Sequence, residues 1–193
     1  LNATMVAMLA EGVIASPVVD AIKLLVLTGC RVSEILNLQW NYIDFNRSCI
    51  DFPDSKTGKK TIPLTEPALE LLKHINPSTD NPHVIPGTLD GRPWNDLRHP
   101  WLKIRERADL PGVRLHDLRH TFASFAVSAN MSLPVIGKLL GHTQPQTTAR
   151  YAHLMTDPLK DAANEIAGLV SAAMTPNESN IVPFKRDHAS KNM

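Results

Sequence analysis

Cysteine is scarce in this chain. Cys30 and Cys49 are the only two in 193 residues, each set among apolar neighbours, and they form no CxxC pair. That excludes a disulfide-stapled scaffold or a thiolate zinc site and leaves two small core residues in a reducing compartment. Long hydrophobic runs are missing as well. No stretch approaches the roughly 18 to 20 apolar residues of a membrane span, and the start, Leu1 to Glu11, lacks the charged-then-apolar layout of a signal peptide. A soluble, cytoplasmic protein with no membrane partner is expected. Charge of one sign is also lacking: 20 Lys and Arg stand against 19 Asp and Glu, for a net charge of +1. Such a total is a poor advertisement for a nucleic-acid partner, yet distribution matters more than the sum. Between Arg98 and Arg119 lie six basic residues (Arg98, Lys103, Arg105, Arg107, Arg114, Arg119) and three acids (Glu106, Asp109, Asp117). That local excess either faces phosphates or forms a solvated helical face.

What is present suffices for one compact domain, since 43% of the residues are hydrophobic. No internal repeat is evident. Ser16 as cap, Pro17 at the first helical position, the apolar set Val19, Ile22, Leu25 and Val26, and Gly29 as terminator predict a helix that ends just before Arg31. A second short helix through Ser33 to Leu38 then holds Arg31 between two buried elements. From Trp40 to Leu64 the pattern turns β-prone, in runs Tyr42 to Phe45, Ser48 to Phe52 and Lys60 to Leu64, which predicts a small antiparallel sheet with Lys56 near a turn. Thr65, Glu66 and Pro67 open another helix, and residues 76 to 93, with four prolines, read as a surface connection. Helices are expected over Trp94 to Ala108, Leu115 to Asn130, Ser132 to Leu140 and Pro158 to Met174. Thr175 to Met193 reads as a flexible tail with isolated apolar Ile181, Val182 and Phe184. The predicted fold class is mainly α with a small antiparallel β-sheet.

Several residues could carry chemistry, and each also has a plainer reading. Arg31 must either pair with a carboxylate such as Glu34 or serve an incoming anion. His116, Arg119 and His120 share one helical face by the i, i+3, i+4 rule, a patch able to hold a phosphate. The HxxxH spacing also permits a metal pair, but no Glu follows His116 and no third ligand is obvious, so no metal is expected. His142 follows a helix-closing Gly141, as a C-cap histidine or as an imidazole aimed into a cleft. Tyr151, one of two tyrosines with Tyr42, is a core residue unless a base takes its proton and cations stabilise the phenolate. Lys56 by itself reads as a solvated turn lysine.

Taken in order, Thr28-Gly29-Cys30-Arg31-Val32-Ser33-Glu34-Ile35-Leu36, Ser55-Lys56-Thr57-Gly58, Leu115-His116-Asp117-Leu118-Arg119-His120-Thr121-Phe122-Ala123, Leu140-Gly141-His142 and Thr147-Thr148-Ala149-Arg150-Tyr151-Ala152-His153 resemble the tyrosine recombinase (phage integrase) family. The resemblance runs from about Leu1 to about His153. It implies that Arg31 and Arg119 clamp a phosphate, that His116 and His142 fill the two histidine positions, that Lys56 is the turn lysine and that Tyr151 is the nucleophile. It also implies a catalytic domain over residues 1–174, a tail over 175–193, and a helical core-binding domain that family members carry ahead of this part.

The implied mechanism is an in-line attack by Tyr151 on a DNA phosphate, giving a 3′-phosphotyrosine that stores the bond energy for religation without ATP, metal or other cofactor. His116 is expected to accept the Tyr151 proton or position the phenol, and Lys56 to protonate the leaving 5′-oxygen. Glu34 and His120 are expected to support from behind. The implied partners are double-stranded DNA attachment sites, a homotetramer on DNA, and accessory DNA-bending or directionality proteins. Two rival functions remain at this level: a type IB topoisomerase, and a non-catalytic helix-turn-helix module built from Ser132 to Leu154.

Overall fold

The computed structural model describes residues 1–53, 58–77, 79–155 and 158–174. Lys56 and the tail beyond Met174 lie outside the described residues. Residues Leu1–Met155 make one compact unit, and the chain from Thr156 belongs to a second. Helix α1 spans Asn2–Ala10, α2 Ser16–Thr28 and α3 Val32–Leu36; a 3-10 turn at Trp40–Tyr42 leads to strands β1 (Ile43–Asp44), β2 (Cys49–Phe52) and β3 (Lys60–Pro63). Helices α4 (Glu66–His74), α5 (Arg98–Arg107), α6 (Leu115–Ser128), α7 (Leu133–Leu140) and α8 (Pro145–Ala149) follow, and a 3-10 turn at Ala152–Leu154 closes the unit. In the second unit, α9 covers Pro158–Met174, the span the periodicity predicts.

The three strands are antiparallel in the order β1-β2-β3, with Ile43 opposite Ile50 and Ile50 opposite Ile62. Ile50 and Ile62 face the core, fully or nearly buried. Along β3, burial alternates with the period of two that a strand imposes, so Lys60 points to the same side as Ile62. The main core gathers Val18, Ile22, Leu25, Ile35, Leu38, Ile50, Leu72, Ile104 and their neighbours from α1 to α5, the sheet and the start of α6. A second, smaller cluster holds Ala123, Ala126, Val127, Ile136, Leu140 and Tyr151. Cys30 and Cys49 are free and buried, as expected of small core residues.

Three local expectations need correction. Ser16 is the first helical residue, Ala15 being the cap, and its hydroxyl is spent on Asp20 at 3.2 Å. The proline-rich stretch is no mere surface connection: Val84 N–H donates to Leu38 O and Trp94 N–H to Ile85 O, both at 2.9 Å, which draws Val84 and Ile85 into the core at 1% and 0% exposure. Its prolines punctuate the segment without keeping it outside, because Val84 and Ile85 find apolar cover and its backbone finds partners. The helix expected from Trp94 begins only at Arg98, with Trp94 Nε1–H donating to Asp96 O ahead of it.

Candidate active site

The site is built where helix ends meet. Gly29 closes α2 in the left-handed region, at φ +62°, and a Cβ there would stand 2.6 Å from Phe122 Cδ1 on α6. Glycine is therefore required by both its backbone conformation and a close approach. The reversal places Arg31 at the N-cap of α3, where Glu34 performs three tasks. Its Oε2 accepts the Arg31 backbone N–H at 2.8 Å, its Oε1 accepts Arg31 Nη1–H at 2.8 Å, and Lys60 Nζ stands 2.7 Å from Oε2, off the line of a well-formed hydrogen bond. Burial would raise the Glu34 pKa, but Lys60 and Arg31 together hold it below the usual carboxylate value. Both readings of Arg31 meet here: it pairs with Glu34, yet its side chain keeps 23% exposure.

Arg119 is the deeper arginine, 5% exposed in the middle of α6. Nη1 donates to Gly29 O at 2.6 Å and Nη2 to Leu140 O at 2.7 Å, so its guanidinium ties together the C-terminal ends of α2 and α7. Helix C-termini offer unpaired carbonyls, and a buried cation satisfies two of them at once. His142 follows Gly141, whose φ of +67° ends α7 and where a Cβ would lie 2.8 Å from Lys60 Cδ. The His142 ring is held through Nδ1 by Thr148 Oγ1 at 2.8 Å, so the plain C-cap reading does not exhaust its role. Burial and then the cations Arg119, Arg31, Arg150 and Lys60 push its pKa down to about 4. A neutral imidazole among four cations is an environment that favours an anion.

Tyr151 sits in the turn between α8 and the last 3-10 turn, 6% exposed. Its hydroxyl lies 2.6 Å from His120 Nδ1. Burial raises the phenol's pKa, while Arg119 and Arg150 pull it back. His116 takes another position: it is exposed, stands perpendicular to the His120 ring with centroids 4.9 Å apart, and lines a groove of about 790 Å³ with Arg98, Arg105 and Arg114. In this structure the histidine beside the phenol oxygen is His120, one helical turn beyond His116 on the same face of α6. The basic run from Arg98 to Arg119 is largely answered locally: Arg98 pairs with Asp96, Arg107 with Glu11 and Arg114 with Asp117, whose pKa falls to about 2 chiefly through its hydrogen bond to Arg114.

Of the six residues the sequence singles out, the structure brings Arg31, Arg119 and His142 within electrostatic reach of one another and Tyr151 within reach of Arg119, sets His116 in the exposed groove beside Arg114, and leaves Lys56 outside the described residues. The sequence reading misses Lys60, Thr148 and Arg150 as contributors. A signal for Lys60 was available: it falls on the inward parity of β3, two residues before Ile62, and a lysine there must find a partner. It also stands 5.2 Å over the Phe52 ring, its neighbour in register.

The sequence signature of the Phage integrase family matches residues 6–157, and the chain belongs to that family. It is 28% identical over 178 residues to the integrase of Salmonella phage P22, covering 85% of this chain and 46% of that protein. It is 30% identical over 161 residues to tyrosine recombinase XerA of Pyrococcus furiosus, covering 77% and 55%. The chain thus spans about half the length of these curated relatives. Among solved structures, the XerH site-specific recombinase bound to its difH substrate shares the fold, with a TM-score of 0.60 at 22% identity over 84% of this chain and 50% of that one. The fold is that of tyrosine recombinase catalytic domains, mainly helical with a three-stranded antiparallel sheet.

Proposed function

We propose that this chain is the catalytic part of a site-specific DNA recombinase that breaks and rejoins strands through a 3′-phosphotyrosine on Tyr151. The observation that carries the reading is a buried tyrosine within electrostatic reach of Arg119 and Arg150, beside a cluster in which Arg31, Lys60, Arg119 and Arg150 surround a neutral His142 and Glu34 pairs with Arg31 and Lys60. Such a cluster can bind a phosphodiester and stabilise the charge on its non-bridging oxygens. Arg31, Arg119 and His142 face that role, and Tyr151 attacks phosphorus in line as the 5′-oxygen leaves. Lys56 supplies the leaving oxygen's proton; a 5′-bridging sulfur, which needs no acid, should restore cleavage by Lys56→Ala, and failure of that rescue removes Lys56 from the role. A helix-turn-helix module would not need Arg31, Glu34 and Lys60 locked together behind the cleft.

The partner in this reading is double-stranded DNA, which is in keeping with the Tn1549 transposon integrase, a protein of the same fold solved in complex with circular intermediate DNA; strand exchange between two duplexes calls for a tetramer on DNA, and accessory proteins and a nucleoid location belong to the same proposal. The deciding test is a nicked substrate that traps a covalent adduct. Tyr151→Phe removes only the nucleophilic oxygen, so the adduct should disappear while DNA affinity stays within about twofold. An adduct that persists in the Phe variant ends the assignment.

A further inference from the structure

Resting on that reading, we infer that His120, and not His116, takes the proton of Tyr151 as the phenol attacks. The reacting oxygen lies 2.6 Å from His120 Nδ1, within direct transfer distance, and the two rings are tilted by 55° with centroids 5.8 Å apart. The contact joins α6 to the turn after α8 across 31 residues of sequence, so it comes from packing and not from neighbourhood. Tyr151 is buried in the small core with Ala123 and Val127 of the same helix, which fixes the phenol against the His120 face of α6. His116 is exposed and stands perpendicular to the His120 ring, with centroids 4.9 Å apart.

The charged groups around His120 suit an acceptor. From α6 and its cap come Asp117, Arg114, Arg119 and His116, and from the segment after α8 comes Arg150. Burial first, then Arg150, lower the ring's pKa, with Asp117 opposing. The imidazole is then neutral at neutral pH, and in the tautomer with its proton on Nε2 it presents a lone pair from Nδ1 to the phenol. In the forward step the Tyr151 O–H bond breaks and the proton passes to Nδ1. The phenolate oxygen bonds to phosphorus, and the P–O5′ bond breaks. Its electron pair stays on the 5′-oxygen, which takes a proton from the acid assigned to Lys56. Religation runs the same transfers backwards, the imidazolium returning its proton to the phenol oxygen as that oxygen leaves phosphorus. His116 lines the groove beside Arg114 and Arg105.

The test is single-turnover adduct formation by the chain on a nicked substrate, with saturating enzyme, from pH 5 to 9. The wild-type rate should fall on the acid side with one ionisation below about 6.5, the ordinary histidine value. His120→Ala should cleave about 10² to 10³-fold more slowly, lose that acid limb, and regain part of its rate with added imidazole, its DNA affinity unchanged. His120→Asn keeps a hydrogen-bonding group against the phenol and so preserves the packing, but as a non-base it should also lack the limb. His116→Ala should retain it. Wild-type or faster cleavage by both His120 variants would make the contact a resting latch and overturn the inference. So would an acid limb that survives in His120→Asn and vanishes in His116→Ala. A wild-type adduct that forms equally well with Tyr151→Phe would instead overturn the nucleophile assignment, and the proton acceptor with it.

Discussion

The two apolar clusters of the Leu1–Met155 unit are unequal, and the candidate chemistry divides between them. The larger one packs α1 to α5 and the sheet, and it holds Arg31 and Lys60 at its margin through the buried Glu34. The smaller one consists of six buried residues from α6, α7 and the turn after α8, and it carries Tyr151. Cations proposed to present a fixed charge thus rest on the part with more buried apolar area, while the proposed nucleophile rests on the part with less. A nucleophile that must move by about an ångström or more between phenol and phosphotyrosine is better placed on the weaker support. Arg119 is the joint: its guanidinium bonds Gly29 O at the edge of one cluster and Leu140 O in the other.

The largest expected effect comes from cutting that joint. Arg119→Ala leaves two buried carbonyls without their donors and should cost about 3 kcal/mol of stability, seen in urea unfolding. The smaller cluster should loosen first, so hydrogen exchange should quicken in α7 while α2 stays protected. Uniform exchange across both helices would mean that the clusters are one cooperative unit and that the contrast is false.

A middle effect is expected behind the clamp. Lys60→Met removes one of the two cations on Glu34, and with Arg31 still in place the loss should be about 1 to 2 kcal/mol. Pairing it with Glu34→Gln should cost less than the sum of the two, because the second change removes the stranded charge. Strict additivity would show that Lys60 and Glu34 do not act together.

The smallest effect, because solvent screens a ring that is only half-buried, is the acid response of His142. Its folded pKa, about 4, lies below the ordinary 6.5. The unfolded chain therefore binds a proton more readily, and stability present above pH 6.5 should be lost as the pH falls towards 4. His142→Asn should flatten that slope relative to the unmutated chain. Inorganic phosphate in the cleft should offset the repulsion from Arg31, Arg119 and Lys60 and move the ring's titration upward, followed by the imidazole resonances. An unmoved titration would argue that no anion sits beside His142.

Local chemistry in the sequence was enough for the element plan. Gly29 and Gly141 terminate α2 and α7 because glycine takes positive φ without a Cβ penalty, and Pro17, Pro67 and Pro134 sit in first turns because proline has no N–H to lose there. Motif order likewise brought out Arg31, Arg119, His142 and Tyr151. What a one-dimensional pattern could not supply was distance between segments. His116 and His120 lie on the same helical face, and only the packing of the turn after α8 decides that the second one meets Tyr151. Lys60 looks like one more basic residue of a Lys-Lys pair until β3 and α3 come together and its ammonium meets Glu34. Arg119 reads as a phosphate ligand, but its two backbone bonds depend on where α2 and α7 end in space. Helix stops such as Gly29 and Gly141 are set by residues within a turn of one another, so the sequence determined them, whereas the start of α5 at Arg98 and not at Trp94 was not legible there. The partners of buried charges are set by which elements share a core, and that was left to the tertiary structure.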